Sequence, residues 1–147
     1  MYYKGPCNNA VALGMQSRVI PDDKVTASSY YSNYIPGWAR LNLNLQAWAC
    51  DQGVGSWIQV DLGSLRYVTA VATQGRPDHP NWVTTYNVKY STDGGSFHIA
   101  GSTYNGNTNQ HTVVRNEIQP AVRARYIRLY PLTWYGYMQL RMELYGC

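Results

Sequence analysis

The sequence predicts an all-β protein, and three observations lead there. Charged residues make up 14% of the 147 positions, against roughly 25% in an average soluble domain, so long surface helices laced with Glu and Lys are not expected. The chain carries 14 Tyr and 5 Trp against a single Phe, and such rings, mixed with β-branched residues, suit a pleated and half-buried surface. Apolar and polar residues alternate over short stretches that end in Gly, Pro, Asn or Asp.

Five strands stand out in chain order. Trp57 to Leu62 puts Ile58, Val60 and Leu62 on one face, and Gly63-Ser64 is expected to break it. Tyr67 to Thr73 follows as a mostly apolar strand. Val83 to Ser91 alternates Tyr86, Val88 and Tyr90 with Asn87 and Lys89; Thr92-Asp93-Gly94-Gly95 then supplies the positive-φ residues of a hairpin turn, with Phe97 to Ala100 as the return strand. Ala124 to Leu129 and Gln139 to Tyr145 complete the set, the last placing Leu140, Met142 and Leu144 inward and Arg141 and Glu143 outward. Short strands joined by long loops make a sandwich or a jelly roll.

No linker, low-complexity tract or repeat divides the chain, so residues 1–147 are expected to form a single domain, with the module proper over about 7–147. No apolar run reaches the roughly 18 residues of a spanning helix, and Met1-Tyr2-Tyr3-Lys4-Gly5-Pro6 lacks the build of a signal peptide. The net charge of +4, from 12 Lys and Arg against 8 Asp and Glu, forms no basic block, which argues against nucleic acid as a partner. Cys7 lies near the start and Cys147 is the last residue, so a bridge between them would tie the two ends together and place the protein outside the cell. Cys50 is left over, either buried and inert or paired with another chain.

Two loops exceed what strand connection needs, and long loops are where function concentrates. The first, residues 28–38, gathers Tyr30, Tyr31, Tyr34, Ile35 and Trp38 around Pro36-Gly37. The second, residues 74–82, sets Arg76, Asp78, His79 and Trp82 close together.

These stretches carry a resemblance. Val25-Thr26-Ala27-Ser28-Ser29-Tyr30, Ala39-Arg40-Leu41-Asn42, Ala47-Trp48, Trp57-Ile58-Gln59-Val60-Asp61-Leu62-Gly63, Thr73-Gln74-Gly75-Arg76, Trp82-Val83-Thr84-Thr85-Tyr86, Ala124-Arg125-Tyr126-Ile127-Arg128-Leu129 and Arg141-Met142-Glu143-Leu144-Tyr145-Gly146-Cys147 together resemble the discoidin family, also called the coagulation factor V/VIII type C domain. The resemblance runs from about Cys7 to Cys147. It implies an eight-stranded, galactose-binding-domain-like jelly-roll barrel, a Cys7–Cys147 disulfide, and loops at one end that form a binding face. It also implies a secreted or ectodomain adhesion module without catalysis, part of a larger multidomain or oligomeric protein. Members of the family bind phosphatidylserine membranes, galactose-type sugars, collagen or peptides, so the fold does not choose the ligand.

A cell-surface glycan is the favoured partner. A galactose-type sugar offers an apolar face to an aromatic ring and hydroxyls to charged side chains, and Arg76, Asp78, His79 and Trp82 supply that mixture. Residues 74–84 are similar to the slime-mould members of the family, as is the segment bearing Trp48 and Asp51, and Trp134 adds a stacking surface. A lone weak sugar site would need multivalency to be useful. The alternative partner is an anionic phospholipid surface: resemblance to the coagulation members puts Tyr34 and Ile35 at the tip of a spike, with Trp38 beside it and Lys24 and Arg40 as cations for headgroups. In that case the polar His79-Pro80 departs from the second apolar pair of the strong membrane binders. An extracellular protein ligand is the third reading. The Asn105-Gly106-Asn107-Thr108-Asn109 turn can hold a structural calcium ion but does not require one; no other cofactor is implied. The motifs of hydrolases, nucleotide-binding enzymes and zinc peptidases are missing, so no catalytic residue is proposed. Arg123, Arg125, Arg128 and Arg141 read as a solvated face or as partners for Asp61 and Glu143.

Overall fold

Strand alternation decides which residues enter the core in the computed structural model, which describes residues 5–51 and 53–147. Met1 to Lys4, the N-terminal stretch considered above, lie outside the described residues. Nine strands are present among them: β1 (Val11–Ala12), β2 (Val25–Ala27), β3 (Trp48–Ala49), β4 (Ile58–Gln74), β5 (Trp82–Ser91), β6 (His98–Ile99), β7 (Tyr104–Asn105), β8 (Val114–Tyr135) and β9 (Gln139–Gly146). Every pairing is antiparallel. The main path runs β1-β9-β4-β8-β5-β6, with β2 on β4, β3 on β9 and β7 on β5, and the sheet curls into a jelly roll.

Nine strands stand where eight were expected, four of them only two residues long, and Gly63-Ser64 does not end its strand. β4 spans 17 residues and β8 spans 22, and each bends instead of stopping. The ladder slips between Asp61 and Arg66 and again between Val68 and Ala70. Gly63 sits at φ +81, a left-handed conformation that glycine adopts without cost, inside the first slip. The extra residues turn the strand around the barrel while its pairing with β8 resumes beyond them. The expected hairpin return is shorter than its sequence suggested, with only His98 and Ile99 pairing to Tyr90 and Lys89.

The inward faces of β4, β5, β8 and β9 supply one core, in which Ile58, Val60, Val68, Tyr86, Val88, Ile127, Leu129, Leu140, Met142 and Leu144 meet Trp48 and Met15. Cys7 and Cys147 form a disulfide across a sequence separation of 140 residues, and closing so long a loop contributes on the order of 5 kcal/mol in the chain-entropy model. Cys50 is buried, with its Sγ 3.6 Å from Ser29 Oγ. None of the described helices is long and apolar enough to cross a membrane.

Candidate ligand pocket

The outward face of β9 holds the loops in place. Its residues Gln139, Arg141 and Glu143 are buried, contrary to the solvent-facing position that alternation suggested for Arg141 and Glu143. Glu143 accepts backbone N–H bonds from Met15, Gln16 and Leu144 at 2.9–3.0 Å. Arg141 donates to the carbonyl oxygens of Gly75, Leu43 and Gln110 at 2.7–2.9 Å, and burial pulls its guanidinium below the ordinary range. The two are therefore not partners for each other: each satisfies backbone groups that a loop passing over a sheet would otherwise leave unpaired. Gln139 completes the row, its Oε1 accepting from Asn81 Nδ2 at 2.7 Å and from Arg76 Nη1 at 3.2 Å. Those two donors fix which end of the amide is oxygen.

Above Gln139 a cavity of about 380 Å³ opens between three loops, lined by Tyr31, Tyr34, Ala49, Arg76, Asn81, Gly136, Tyr137 and Gln139. The first and second loops thus contribute to one site. The Arg76 guanidinium lies 4.7 Å from the centre of the Tyr34 ring and donates to its hydroxyl at 3.2 Å. Asp78 accepts from Arg76 Nε at 2.7 Å and aims the fork. Burial pulls Arg76 down, but its bonds to Asp78 and Tyr34 outweigh that and hold it above its ordinary value; the same bond holds Asp78 below the usual carboxylate range. Tyr31 stacks parallel to Tyr34 at 6.3 Å between ring centres and meets Tyr137 at 5.4 Å. Partial burial, with Tyr31 and Asp51 nearby, pushes the Tyr137 phenol up. At the floor, Gln139 Nε2 has no hydrogen-bond partner among the described residues.

Gly136 is the hinge of the third loop. It sits at φ +71, and a Cβ there would stand 2.3 Å from Asn81 Oδ1 and 2.5 Å from the Pro80 carbonyl oxygen. Only glycine lets this loop close against Asn81, whose Oδ1 then accepts the Tyr137 N–H at 3.1 Å.

The residues singled out in the sequence divide into three groups. Arg76 and Tyr34 line the cavity and Asp78 braces it. His79 and Asp51 are exposed nearby, Trp82 stacks on Tyr135 at 4.6 Å, and Trp134 lies 36% exposed near the end of β8, paired with Val83, not on a loop; none of these four lines the cavity. Trp48 and Arg40 are withdrawn from the surface altogether. Trp48 is 0% exposed and its indole N–H donates to the Ser29 carbonyl at 3.0 Å. Arg40 is 1% exposed, donating to Gly37 O, Met15 O and Asp22 Oδ1, so it offers no charge to a headgroup. Tyr34, Ile35 and Trp38 are half-buried, with Trp38 edge-on to Tyr34, so they form no bare spike. Lys24 pairs with Asp61 on β4. Sequence reasoning missed Tyr31 as a wall, Tyr137, Asn81 and Gln139; only the crowding of rings in residues 28–38 signalled any of them. Among the described residues no group of three or more His, Cys, Asp or Glu side chains is arranged to hold a metal ion.

The family model of the F5/8 type C domain matches residues 24–144. The chain belongs to the discoidin, or F5/8 type C, family. This discoidin domain is 34% identical over 157 aligned positions to lactadherin of Sus scrofa, covering 94% of the chain but 38% of that protein. It is 33% identical to retinoschisin of Mus musculus, covering 92% of the chain and 67% of that protein. The domain thus spans well under half the length of lactadherin. Among solved structures, wild-type discoidin II from Dictyostelium discoideum superimposes with a TM-score of 0.84 at 23% identity, over 97% of the domain and 60% of that chain. The family 32 carbohydrate-binding module of NanJ from Clostridium perfringens, solved in complex with galactose, gives 0.72 at 18% identity, over 94% and 100%. At those identities the likeness concerns the fold.

Proposed function

We propose that this domain is a non-enzymatic, extracellular recognition module that takes a galactose-type unit of a cell-surface glycan into the cavity above Gln139. The observation that carries this reading is the convergence of a braced guanidinium, two side-chain amides and three phenol rings on one 380 Å³ space. Rings at the wall suit the apolar face of a pyranose, while Arg76 and Asn81 suit its hydroxyls. An unpartnered buried donor costs about 1–3 kcal/mol, and a ligand hydroxyl reaching Gln139 Nε2 would recover that cost. A jelly roll of this fold solved with galactose lends support of the same kind. Asp78 acts by aiming Arg76, and the expectation that Trp48, Asp51, His79, Trp82 and Trp134 touch the sugar gives way to Tyr31, Tyr34 and Tyr137.

The test is retention on immobilised galactose with elution by free galactose. Wild type is retained, while Tyr137→Ala and Arg76→Ala pass through with their melting temperatures little changed. Retention that survives both substitutions would place the sugar elsewhere.

A second reading rests on Leu45. This residue is 71% exposed and sits at φ +63, a strained backbone for a leucine. It tops the loop held by Arg141 at the same end of the barrel. An anionic membrane would receive Leu45 in place of Tyr34 and Ile35. Sedimentation with phosphatidylserine vesicles that is lost in Leu45→Asp and kept in Tyr137→Ala would move the assignment to lipid.

A further inference from the structure

The positive charge of this protein has an address. Arg40 and Arg141 are buried against backbone oxygens. Arg18, Arg76 and Arg115 meet Asp22, Asp78 and Glu117, while Lys24 and Arg125 share Asp61. Arg66, Lys89, Arg123 and Arg128 have no ion-pair partner among the described residues. Lys89 lies on β5, Arg123 and Arg128 lie on β8, and Arg66 stands exposed on β4 where its pairing with β8 resumes. With Val88, Ile127 and Leu129 turned into the core, alternation puts Lys89 and Arg128 on the outer face of the sheet; beyond the register shift, Val122 and Ala124 are the buried residues, and that puts Arg123 and Arg125 on the same face.

The arrangement on that face is unusual for bare structural needs. Gln59, Arg128 and Lys89 form one register line across β4, β8 and β5, so two cations stand directly opposite each other, a destabilising placement when nothing offsets it. Aromatic rings hold them in place. The Arg128 guanidinium lies 3.9 Å from the ring centres of both Trp57 and Phe97, and its Nε donates to Gln59 Oε1 at 2.8 Å. Lys89 Nζ lies 4.8 Å from the Tyr130 ring, and Arg125 lies 5.1 Å from that of Tyr126. Rings fix a cation without neutralising it, so the charges stay available and cost little side-chain entropy on binding. From Arg123 to Arg128 the band covers about 15 Å of strand.

We propose that this outer face of β4, β8 and β5 binds a linear anionic polysaccharide bearing sulfate or carboxylate groups along its length. A row of fixed cations on a flat sheet matches charges repeated along a polymer, and the half-exposed Tyr126 and Tyr130 offer faces for pyranose rings between them. A bilayer fits less well, because Trp57 and Phe97 stack on Arg128 and the one exposed aliphatic side chain on the register line is Ile99, at its β6 end beyond Lys89. This site is on the side of the barrel, apart from the cavity above Gln139, and does not depend on the sugar reading of that cavity.

Chromatography on immobilised heparin with a salt gradient tests it, using two double variants that remove equal charge. Wild type is retained. Lys89→Gln/Arg123→Gln elutes at clearly lower salt, with affinity reduced roughly tenfold, while Arg18→Gln/Arg115→Gln elutes with wild type. Free galactose in the buffer leaves retention unchanged, so failure here and failure of the cavity reading are separately visible. Flow-through of wild type, or an equal shift in both double variants, overturns the proposal. So does binding to phosphatidylserine vesicles or duplex DNA that needs Lys89 and Arg123 where heparin binding does not.

Discussion

β8 and β9 carry the same pattern in sequence and meet opposite fates. Both alternate aliphatic residues with charged ones, Ile127 and Leu129 beside Arg125 and Arg128, Leu140 and Met142 beside Arg141 and Glu143. On β8 the outward cations remain at the surface, propped on rings. On β9 the outward side chains lie under loops and bond to their backbone. Alternation says which way a side chain points, and only the paths of distant loops decide what it meets there. An outward charge on β9 is therefore a structural part, whereas on β8 Arg123 and Arg128 have no ion-pair partner among the described residues.

The sharpest test of this contrast lies at the end of β9, where Cys147 fastens the strand to Cys7. Replacing both cysteines by serine removes the closure of a 140-residue span, and a fall in melting temperature of roughly 10–20 °C is expected by calorimetry. The direct comparison comes next. Glu143→Ala strands three backbone N–H groups and should cost about 3 kcal/mol or more in urea unfolding, whereas Arg123→Ala should stay within about 0.5 kcal/mol. Equal costs would dissolve the distinction between the two faces.

The inward face answers to pH. Burial pushes the Tyr86 phenol up to about 12, above the roughly 10 of an unfolded tyrosine. Its contribution is complete below pH 10 and is lost as pH rises toward 12, a decline on the order of 3 kcal/mol that Tyr86→Phe should remove from the alkaline limb of the stability curve. The smallest effect belongs to the surface pair that joins Arg125 on β8 to Asp61 on β4. The Arg125 hydrogen bond holds Asp61 below the usual carboxylate range, so the stability it brings is present above about pH 4 and fades as pH falls through the depressed value. Arg125→Ala should lower stability slightly at neutral pH and flatten that acid limb.

Much of the framework was legible in the residues. Ile58, Val60, Val88, Leu140 and Met142 could be assigned to the core by alternation alone, because period-two burial is a local property. Two kinds of information were not local. Gly63 read as a strand break because a turn and a bulge use the same residue; which of them forms depends on whether β8 lies alongside to resume pairing. The pocket depended on Asn81 and Gln139, ordinary amides in sequence, which gain a role only when Gly136 brings its loop against Asn81. Arg40 and Trp48 erred in the other direction. They looked like surface chemistry because of their type, yet the former satisfies carbonyl groups under the first loop and the latter fills the core beneath it.

β9 has one more consequence, a mechanical one. It begins at the floor of the cavity with Gln139 and ends at Gly146 beside the sulfur bridge, about 24 Å further on. A pull between the two ends of the chain crosses the covalent Cys7–Cys147 link and leaves the sheet unloaded. A pull between the cavity residue Arg76, just beyond the end of β4, and Cys147, just beyond the end of β9, instead runs lengthwise between the two strands, where the antiparallel ladder from Val68 to Gln74 on β4 resists it in shear. Those hydrogen bonds must give way together, not one after another, so tension applied between the cavity and the sulfur bridge meets the pairing of β4 with β9 in its strongest direction.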